Sequence, residues 1–335
     1  MEIRNCPGLL TEGYVTYSTL FLRRMFSSRK VSHILPYNAP ETDGDDQDKF
    51  IQNRKRISIS GAQEKYSVLL EKNSLRLTIG KEQGSYILKP KPNGLRKIAM
   101  APANEHVTMQ IANQVYGIPT AVNGLVFFSK GEAAYITKRF DIDTNGARLG
   151  IEDFASLAGK TEENAGVNFK YEFSYEGIAE LIKKYVGPWK IEMEKFYKLV
   201  VFNFLFSNGD AHLKNFSLLE TANGDYVLSP AYDLMDTRIH VDEEGFFALD
   251  NELFKEWYWS DCRIKNSLHH PCKADFIEFG KKTGIAENRV VKLLDSFLKK
   301  QVEVENLVIK SFLDEATKEQ YLFHYNERLG MLNSE

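Results

Sequence analysis

Residues 192–206, "EMEKFYKLVVFNFLF", restrict the possible folds more than any other stretch of this sequence. They predict a helix that is apolar on nearly every face, and such a helix is stable only when protein surrounds it. The polar run "SNGDAHLKN" (207–215) follows at once, and the apolar run "FSLL" (216–219) comes directly after it. The polar run is therefore either an ordinary turn between two buried segments or a functional site.

Composition describes an ordinary soluble protein. The chain has 335 residues, of which 43% are hydrophobic and 27% charged, enough for one large or two moderate domains. The net charge of −3 excludes the strong basic field of a typical nucleic-acid binder. The cysteines are sparse, and the sequence shows neither a signal-peptide pattern nor an apolar run of roughly 18 residues. We therefore predict a cytoplasmic protein with no membrane association.

The N-terminal part is predicted to be rich in antiparallel strands, because short apolar runs alternate with turn residues. A helix-like segment at 104–117 interrupts these runs and ends at Gly117. The strand-like runs are 56–60, 65–71, 75–79, 85–90, 124–129 and 133–141.

From residue 151 onward the pattern is mainly helical. Ser174 is a candidate N-cap for a helix that stops at Gly187, and residues 215–230 predict two strands joined at Asn223–Gly224. Further helices are predicted at 286–313 and 317–332. We therefore predict an α+β fold with a strand-rich N-terminal lobe (1–145) and a mainly helical C-terminal lobe (146–335), the order of a two-lobed protein kinase.

The polar run carries residues suited to phosphoryl transfer. Asp210 and Asn215 are five positions apart, the spacing of the catalytic-loop Asp and Asn of protein kinases. Asp233 follows the predicted hairpin, where a second oxygen ligand for Mg²⁺ is required. The competing interpretation is that Asp210 and Asn215 stabilise a turn and that Asp233 is a helix N-cap.

A second set of residues lies upstream. Lys89 ends a predicted strand and Glu105 begins the next helix, which is the order of a phosphate-binding lysine and its helical glutamate partner. Both residue types are also common at such positions on protein surfaces. The run "SISGAQEK" precedes them and predicts a turn whose backbone amides face phosphate.

Seven motifs in fixed order resemble HipA-type serine/threonine kinases, the toxins of bacterial toxin–antitoxin systems. They are "SISGAQEK", "YILKP", "NEH", "YITKRFD", "EDFASLAGK", "NGDAHLKNFSLL" and "PAYDLMD", and the resemblance covers about residues 57–240. It implies the two-lobed HipA-like kinase fold and the use of ATP and Mg²⁺.

The resemblance also implies roles for individual residues. Asp210 would be catalytic, Asn215 and Asp233 would hold Mg²⁺, and Lys89 with Glu105 would hold the ATP phosphates. Separately from the resemblance, the position of His212 two residues after Asp210 favours a role in orienting Asp210 or as a spare donor, and the alternative is a structural hydrogen bond to the backbone. The remaining nucleotide-binding candidates are Ser60, Gly61, Ala62 and Gln63 of the phosphate loop, and Lys138 and Phe140 of a hinge that offers backbone groups to adenine.

Family members phosphorylate a serine of their own phosphate loop and thereby inactivate themselves. The candidates here are Ser58 and Ser60, and the sequence leaves open which of them is modified. A phosphoserine carries about −1.5 to −2 charges, so it would repel the ATP phosphates from that loop.

The phosphate-loop motif comes early in this chain, which resembles the shorter HipT-type kinases that lack an N-terminal subdomain. We expect a separate small protein to supply that subdomain and to dock near residues 1–60. The resemblance further implies a DNA-binding antitoxin, contact with DNA only through it, and an aminoacyl-tRNA synthetase substrate, the tryptophanyl enzyme in HipT-type kinases. The expected outcome is halted translation, growth arrest and persistence.

Two other functions agree with part of the pattern. Small-molecule kinases of the choline or aminoglycoside type also place an Asp and an Asn on the catalytic loop, but the "SISGAQEK" loop argues against them. The second alternative function is that of a catalytically silent pseudokinase that binds a partner. The presence of all four residues expected for catalysis argues against it: Lys89, Asp210, Asn215 and Asp233.

Overall fold

The computed structural model describes residues 3–40, 64–92, 96–241, 245–256, 260, 263–264 and 266–334. The chain divides into two compact units that are interleaved in sequence. The first comprises Met1–Ile111, Ala121–Phe140 and Glu303–Lys318, and the second comprises Ala112–Thr120, Asp141–Val302 and Glu319–Glu335. The predicted division into 1–145 and 146–335 stays a prediction.

The first unit contains a five-stranded antiparallel sheet with the strand order β2-β1-β3-β5-β4. The strand runs predicted between 65 and 141 are strands in the structure, whereas the run at 56–60 lies outside the described residues. Helix α2 begins at Ala101, three residues before the predicted start at 104. The elements are α1 (Thr19–Phe26), β1 (Tyr66–Glu71), β2 (Ser74–Leu77), β3 (Tyr86–Lys89), α2 (Ala101–Gln114), β4 (Asn123–Phe127) and β5 (Ala133–Lys138).

The N-terminal segment 3–40 supplies much of the core of this unit. Helix α1 begins after Ser18, whose hydroxyl accepts the N–H of Phe21 at 3.3 Å. Phe21, Met25 and Phe26 are fully buried together with residues of the sheet. These apolar side chains therefore belong to the unit's own core, and docking of a small partner near residues 1–60 stays a prediction.

The second unit is mainly helical, as predicted, and also contains a small sheet of strands β6, β7 and β8. Strand β6 was not predicted; it is only three residues long and is defined by its pairing with β7. The elements are β6 (Ile151–Asp153), α3 (Phe154–Leu157), α4 (Glu162–Ala165), α5 (Tyr175–Tyr185), α6 (Trp189–Leu205), β7 (Ser217–Glu220), β8 (Tyr226–Leu228), α7 (Lys273–Lys282), α8 (Glu287–Leu298), α9 (Val302–Lys310) and α10 (Glu315–Leu332), of which the last two continue into residues of the first unit.

Several local predictions are confirmed here. Ser174 caps α5, since its hydroxyl accepts the N–H of Gly177 at 3.1 Å. Helix α6 is buried along most of its length. The hairpin turns at Asn223–Gly224, where Gly224 takes a left-handed φ of 79° that glycine adopts without strain.

The single helix predicted at 286–313 is wrong, because the chain forms two helices there. Lys299 is extended (φ −103°, ψ 135°) and ends α8. The side chain of Gln301 donates to the carbonyl of Ser296 at 2.9 Å, and its backbone N–H donates to the hydroxyl of Tyr325 at 3.1 Å. These tertiary bonds replace helical ones over the polar residues 299–301.

None of the helices in the described ranges has an apolar stretch long enough to cross a membrane.

His106 makes the stability of the first unit depend on pH. Its ring is buried in α2, its Nε2 lies 3.1 Å from the carbonyl oxygen of Gly8, and burial lowers its pKa to about 4. An unfolded histidine takes up a proton near pH 6.5, so acid favours the unfolded chain. Between pH 7.5 and pH 5 we expect this group to remove about 2 kcal/mol from the free energy of unfolding.

The measurement is urea denaturation at both pH values, followed by circular dichroism. The variant His106→Gln should lose less stability on acidification than the wild type, and His269→Gln, at an exposed position, should behave like the wild type. Equal pH dependence of all three proteins would contradict the assignment.

Candidate active site

The first unit holds a buried ion pair. Lys89, the last residue of β3, places its Nζ 2.6 Å from Oε1 of Glu105 in the second turn of α2. The two side chains are only 4% and 2% exposed. Tyr135 faces Lys89 across the sheet, with the ammonium 5.2 Å from the ring centre. The structure thus brings together the lysine and glutamate that the sequence pairs, and the surface interpretation of both residues is wrong.

In the second unit the polar run 207–215 begins where the buried helix α6 ends. Ser207 takes a left-handed φ of 50° and turns the chain, and the N–H of Asn208 donates to the carbonyl of Asn203 at 2.8 Å. Thr237 fastens the loop, because its hydroxyl donates to the Ser207 carbonyl at 2.9 Å and accepts the N–H of Gly209 at 2.8 Å. Asp210 lies next on this loop, and its side chain is 54% exposed.

The loop is further anchored by helix α10. Arg328 donates from Nε to the hydroxyl of Ser207 at 3.2 Å, and its guanidinium lies 5.1 Å from the ring centre of Phe204. His324 Nδ1 lies 2.7 Å from Oδ2 of Asp236, and burial raises the pKa of that carboxyl. The loop of residues 207–215 therefore rests on a helix more than 100 residues further along the chain.

Asn215 and Asp233 both show features of ligand-binding residues. The side-chain oxygen Oδ1 of Asn215 is buried and has no hydrogen-bond partner within the described part of the chain. An acceptor buried in this way normally has a partner, so its oxygen is suited to a group that the protein alone does not supply. Asp233 has a left-handed φ of 57°, a strained conformation for a non-glycine residue that is common at functional sites.

Asp233 is not a helix N-cap in the structure. Residues 232–236 are irregular, and the short 3₁₀ helix that follows begins at Thr237 with Asp236 as its N-cap. The described residues contain no group of three or more histidine, cysteine or acidic side chains that forms a metal site. Amide and carboxylate oxygens, the kinds that Asn215 and Asp233 carry, are hard ligands that suit Mg²⁺.

His212 is neutral at physiological pH. It is buried, and this burial lowers its pKa to about 4. Its Nε2 lies 3.8 Å from Oδ1 of Asp210, which is too long for a hydrogen bond. Its Nδ1 is buried without a hydrogen-bond partner in the described residues. The prediction that His212 orients Asp210 has no direct hydrogen bond to support it.

Tyr171 was missed by the sequence reasoning. Its hydroxyl donates to Oδ1 of Asp210 at 2.7 Å, although the two residues are 39 positions apart. No spacing rule connects a tyrosine in an irregular segment before α5 with the loop that carries Asp210, so the tertiary structure alone reveals the contact.

Other predicted residues are not tested by the geometry. Ser58, Ser60, Gly61, Ala62 and Gln63 lie outside the described residues. In the proposed hinge, the N–H of Lys138 donates to the carbonyl of Val122 at 2.8 Å, and Phe140 is half-buried. The contact of this hinge with adenine stays a prediction.

Residues 57–304 match the family model described as the HipA-like C-terminal domain. The chain belongs to this family. The match begins at the phosphate-loop motif and extends through Lys89, Asp210, Asn215 and Asp233 into the C-terminal helices.

Relatives in the HipA-like group are described as kinases. A presumed kinase of Haemophilus influenzae is 27% identical over 292 residues, which cover 84% of this chain and 83% of the relative. A presumed kinase of Sinorhizobium fredii is 32% identical over 238 residues, or 64% of this chain and 54% of the relative. The serine/threonine-protein kinase toxin HipA of Shewanella oneidensis is 26% identical over 211 residues, which cover 58% of this chain and 47% of the relative.

Two solved structures share the fold. HipA of Shewanella oneidensis, solved in a complex with HipB and operator DNA, aligns with a TM-score of 0.59 and 20% identity over 88% of this chain and 72% of that chain. The proinflammatory kinase CtkA of Helicobacter pylori aligns with a TM-score of 0.51 and 17% identity, over 81% of this chain and 90% of CtkA. The predicted α+β HipA-like kinase fold is thereby confirmed.

The buried pair predicts a specific pattern of stabilities. Replacing Lys89 by Met removes the cation beside the buried Glu105 carboxylate and should lower the free energy of unfolding by about 3–5 kcal/mol. Replacing both residues, as Lys89→Met with Glu105→Leu, should recover much of this loss because no buried charge remains.

Urea denaturation of the single and double variants measures the effect. Arg76→Gln, which breaks partly exposed ion pairs with Glu71 and Glu82 in the same unit, is the matched control and should cost far less. A double variant as unstable as Lys89→Met would contradict the explanation.

Proposed function

We propose that this chain is an ATP- and Mg²⁺-dependent protein serine/threonine kinase. The observation that carries the proposal is the buried Lys89–Glu105 ion pair at the end of β3. A lysine held by a helical glutamate is the device with which protein kinases bind the phosphates of ATP. Burying two charges is costly in free energy, so their retention favours a functional role for the pair.

Asp210 is the proposed catalytic residue. It receives the proton of the acceptor hydroxyl, or positions that hydroxyl, while the hydrogen-bonded loop around it holds its backbone in place. Two hydrogen bonds of this loop, from the Gly209 N–H to the Thr237 hydroxyl and from the Asn208 N–H to the Asn203 carbonyl, support this role, because catalysis of phosphoryl transfer depends mainly on positioning.

Asn215 and Asp233 are the proposed metal-binding residues. The unpartnered Oδ1 of Asn215 and the strained backbone of Asp233 fit a divalent cation. Bound Mg²⁺ would neutralise the charge of the transferred phosphoryl group. The side chains of Asn215 and Asp233 would hold it there, and His212, neutral and buried, adds no competing positive charge.

The finer assignments follow the relatives. HipA of Shewanella oneidensis is described as a serine/threonine-protein kinase toxin and was solved with HipB and DNA. We propose by analogy that this chain acts as a toxin with a DNA-binding antitoxin, phosphorylates an aminoacyl-tRNA synthetase such as the tryptophanyl enzyme, and autophosphorylates at Ser58 or Ser60. A separate small partner protein that binds this chain belongs to the same proposal.

Asp210→Asn tests the proposed chemistry. This change keeps the shape of the side chain but removes the base, so phosphoryl transfer should fall by about a hundredfold to ten-thousandfold. The measurement follows ³²P transfer from labelled ATP to the protein itself and to peptides, with mass spectrometry to locate phosphate at Ser58 or Ser60. Asp225→Asn, at an exposed position in the hairpin turn, is the matched control.

The same variants separate the competing functions. Transfer to choline-like or aminoglycoside acceptors, without transfer to protein, would identify a small-molecule kinase. Growth arrest on expression should disappear with Asp210→Asn and persist with Asp225→Asn. Growth arrest that survives Asp210→Asn would show that phosphoryl transfer is not the toxic activity and would favour a binding module.

Asn215→Leu tests the proposed metal site. Without nucleotide the thermal unfolding midpoint should change little, because the lost oxygen makes no hydrogen bond in the described residues. With Mg²⁺ and a non-hydrolysable ATP analogue the wild-type midpoint should rise, since ligand binding stabilises the folded state, and the variant should show a smaller rise. Asn288→Leu on the exposed face of α8 is the control; an equal rise in all three proteins would exclude Asn215 as a ligand.

A further inference from the structure

The carboxylate of Asp210 accepts one hydrogen bond from the residues that the structure describes. Tyr171 donates its hydroxyl to Oδ1 at 2.7 Å, and within the described residues no other hydrogen bond reaches this carboxylate. The nearest ring nitrogen of His212 is 3.8 Å away from the same oxygen. A carboxylate that is 54% exposed rotates readily about its terminal torsion. The Tyr171 hydroxyl is therefore the group that selects its orientation.

Tyr171 is itself fixed on both sides of its backbone. The N–H of Asp250 donates to the Tyr171 carbonyl at 3.0 Å, and the N–H of Leu213 donates to the carbonyl of Lys170 at 3.0 Å. The second bond ties the tyrosine's segment directly to the catalytic loop, three residues after Asp210.

The ring of Tyr171 is also packed in place. It meets the ring of His212 edge to face, with 5.2 Å between the two ring centres. The ammonium of Lys170 lies 4.9 Å from the centre of the Tyr171 ring. Such contacts contribute modestly to stability, but they define where the hydroxyl lies.

We propose that Tyr171 is a positioning residue for phosphoryl transfer: its hydroxyl holds Oδ1 of Asp210 and thereby turns Oδ2 toward the acceptor hydroxyl. This inference rests on the proposed kinase function. In the transfer, the acceptor oxygen bonds to the γ-phosphorus, the bond from that phosphorus to the ADP oxygen breaks, and the acceptor proton passes to Asp210. Tyr171 keeps its own proton throughout and touches neither substrate.

The test is Tyr171→Phe in the full-length chain, which removes the hydroxyl and keeps the ring against His212. We expect kcat for transfer from ATP to a serine peptide to fall about 10- to 100-fold, because a mispositioned base costs rate rather than binding. The KM for ATP and the thermal unfolding midpoint should match those of the wild type.

Tyr185→Phe is the matched control. Tyr185 also follows a lysine, and the Lys184 ammonium lies 4.6 Å from its ring centre, but Tyr185 is on the exposed surface of α5. Its variant should keep the wild-type kcat. In the Asp210→Asn background, Tyr171→Phe should change single-turnover transfer by less than about twofold, since a residue that acts through Asp210 has no effect once the base is gone.

The outcomes are distinct. A Tyr171→Phe protein with wild-type kcat, with a raised KM for ATP as its main change, or with a lost fold would overturn the positioning role. A further large loss in the Asp210→Asn background would do the same. If the wild type transfers phosphate to no acceptor, the proposed function itself fails, and the role of Tyr171 fails with it.

Discussion

The burial of helix α6 is the constraint on which the second unit depends. Its aromatic residues contact several surrounding elements. Phe196 meets Phe216, which follows the 207–215 loop, at 5.6 Å between ring centres. Tyr197 stacks on Phe279 of α7 at 6.0 Å, and Phe204 meets Phe276 of α7 at 5.1 Å. A close-packed helix of this kind cannot shift without opening cavities. The polar loop at its end therefore starts from a fixed point.

Some buried polar groups make hydrogen bonds that hold elements of the fold together, whereas others have no hydrogen-bond partner among the described residues. Glu192, buried in α6, accepts the N–H of Leu228 at 3.2 Å and bonds Lys195 at 2.7 Å, so it joins the helix to the hairpin. Asn215 Oδ1 and His212 Nδ1 have no hydrogen-bond partner in the described residues and lie within a few positions of each other. Such atoms are available to a bound ligand, and the proposal that Asn215 is a metal ligand uses this property.

The parts of the fold that were predictable are those with local causes. The all-round apolar pattern of α6, the serine cap of α5 and the asparagine–glycine turn of the hairpin each depend on neighbouring residues, and all three are confirmed. The break between α8 and α9 was not predictable, because a hydrogen bond from Gln301 to Tyr325 favours it. Strand β6 was missed for the same reason, since three residues become a strand only through pairing with β7.

The amino-acid sequence by itself determined the motifs and their order: the lysine at the end of a strand, the glutamate of the next helix, and the Asp210 and Asn215 spacing after a buried helix. These depend on short-range pattern and on residue chemistry, which the sequence states directly. Only the tertiary structure decided that Lys89 and Glu105 form a buried pair, that Asn215 has an unpartnered oxygen, and that Tyr171 holds Asp210 from 39 positions upstream. Contacts between distant residues depend on how elements pack, and packing leaves no periodic signal in the sequence.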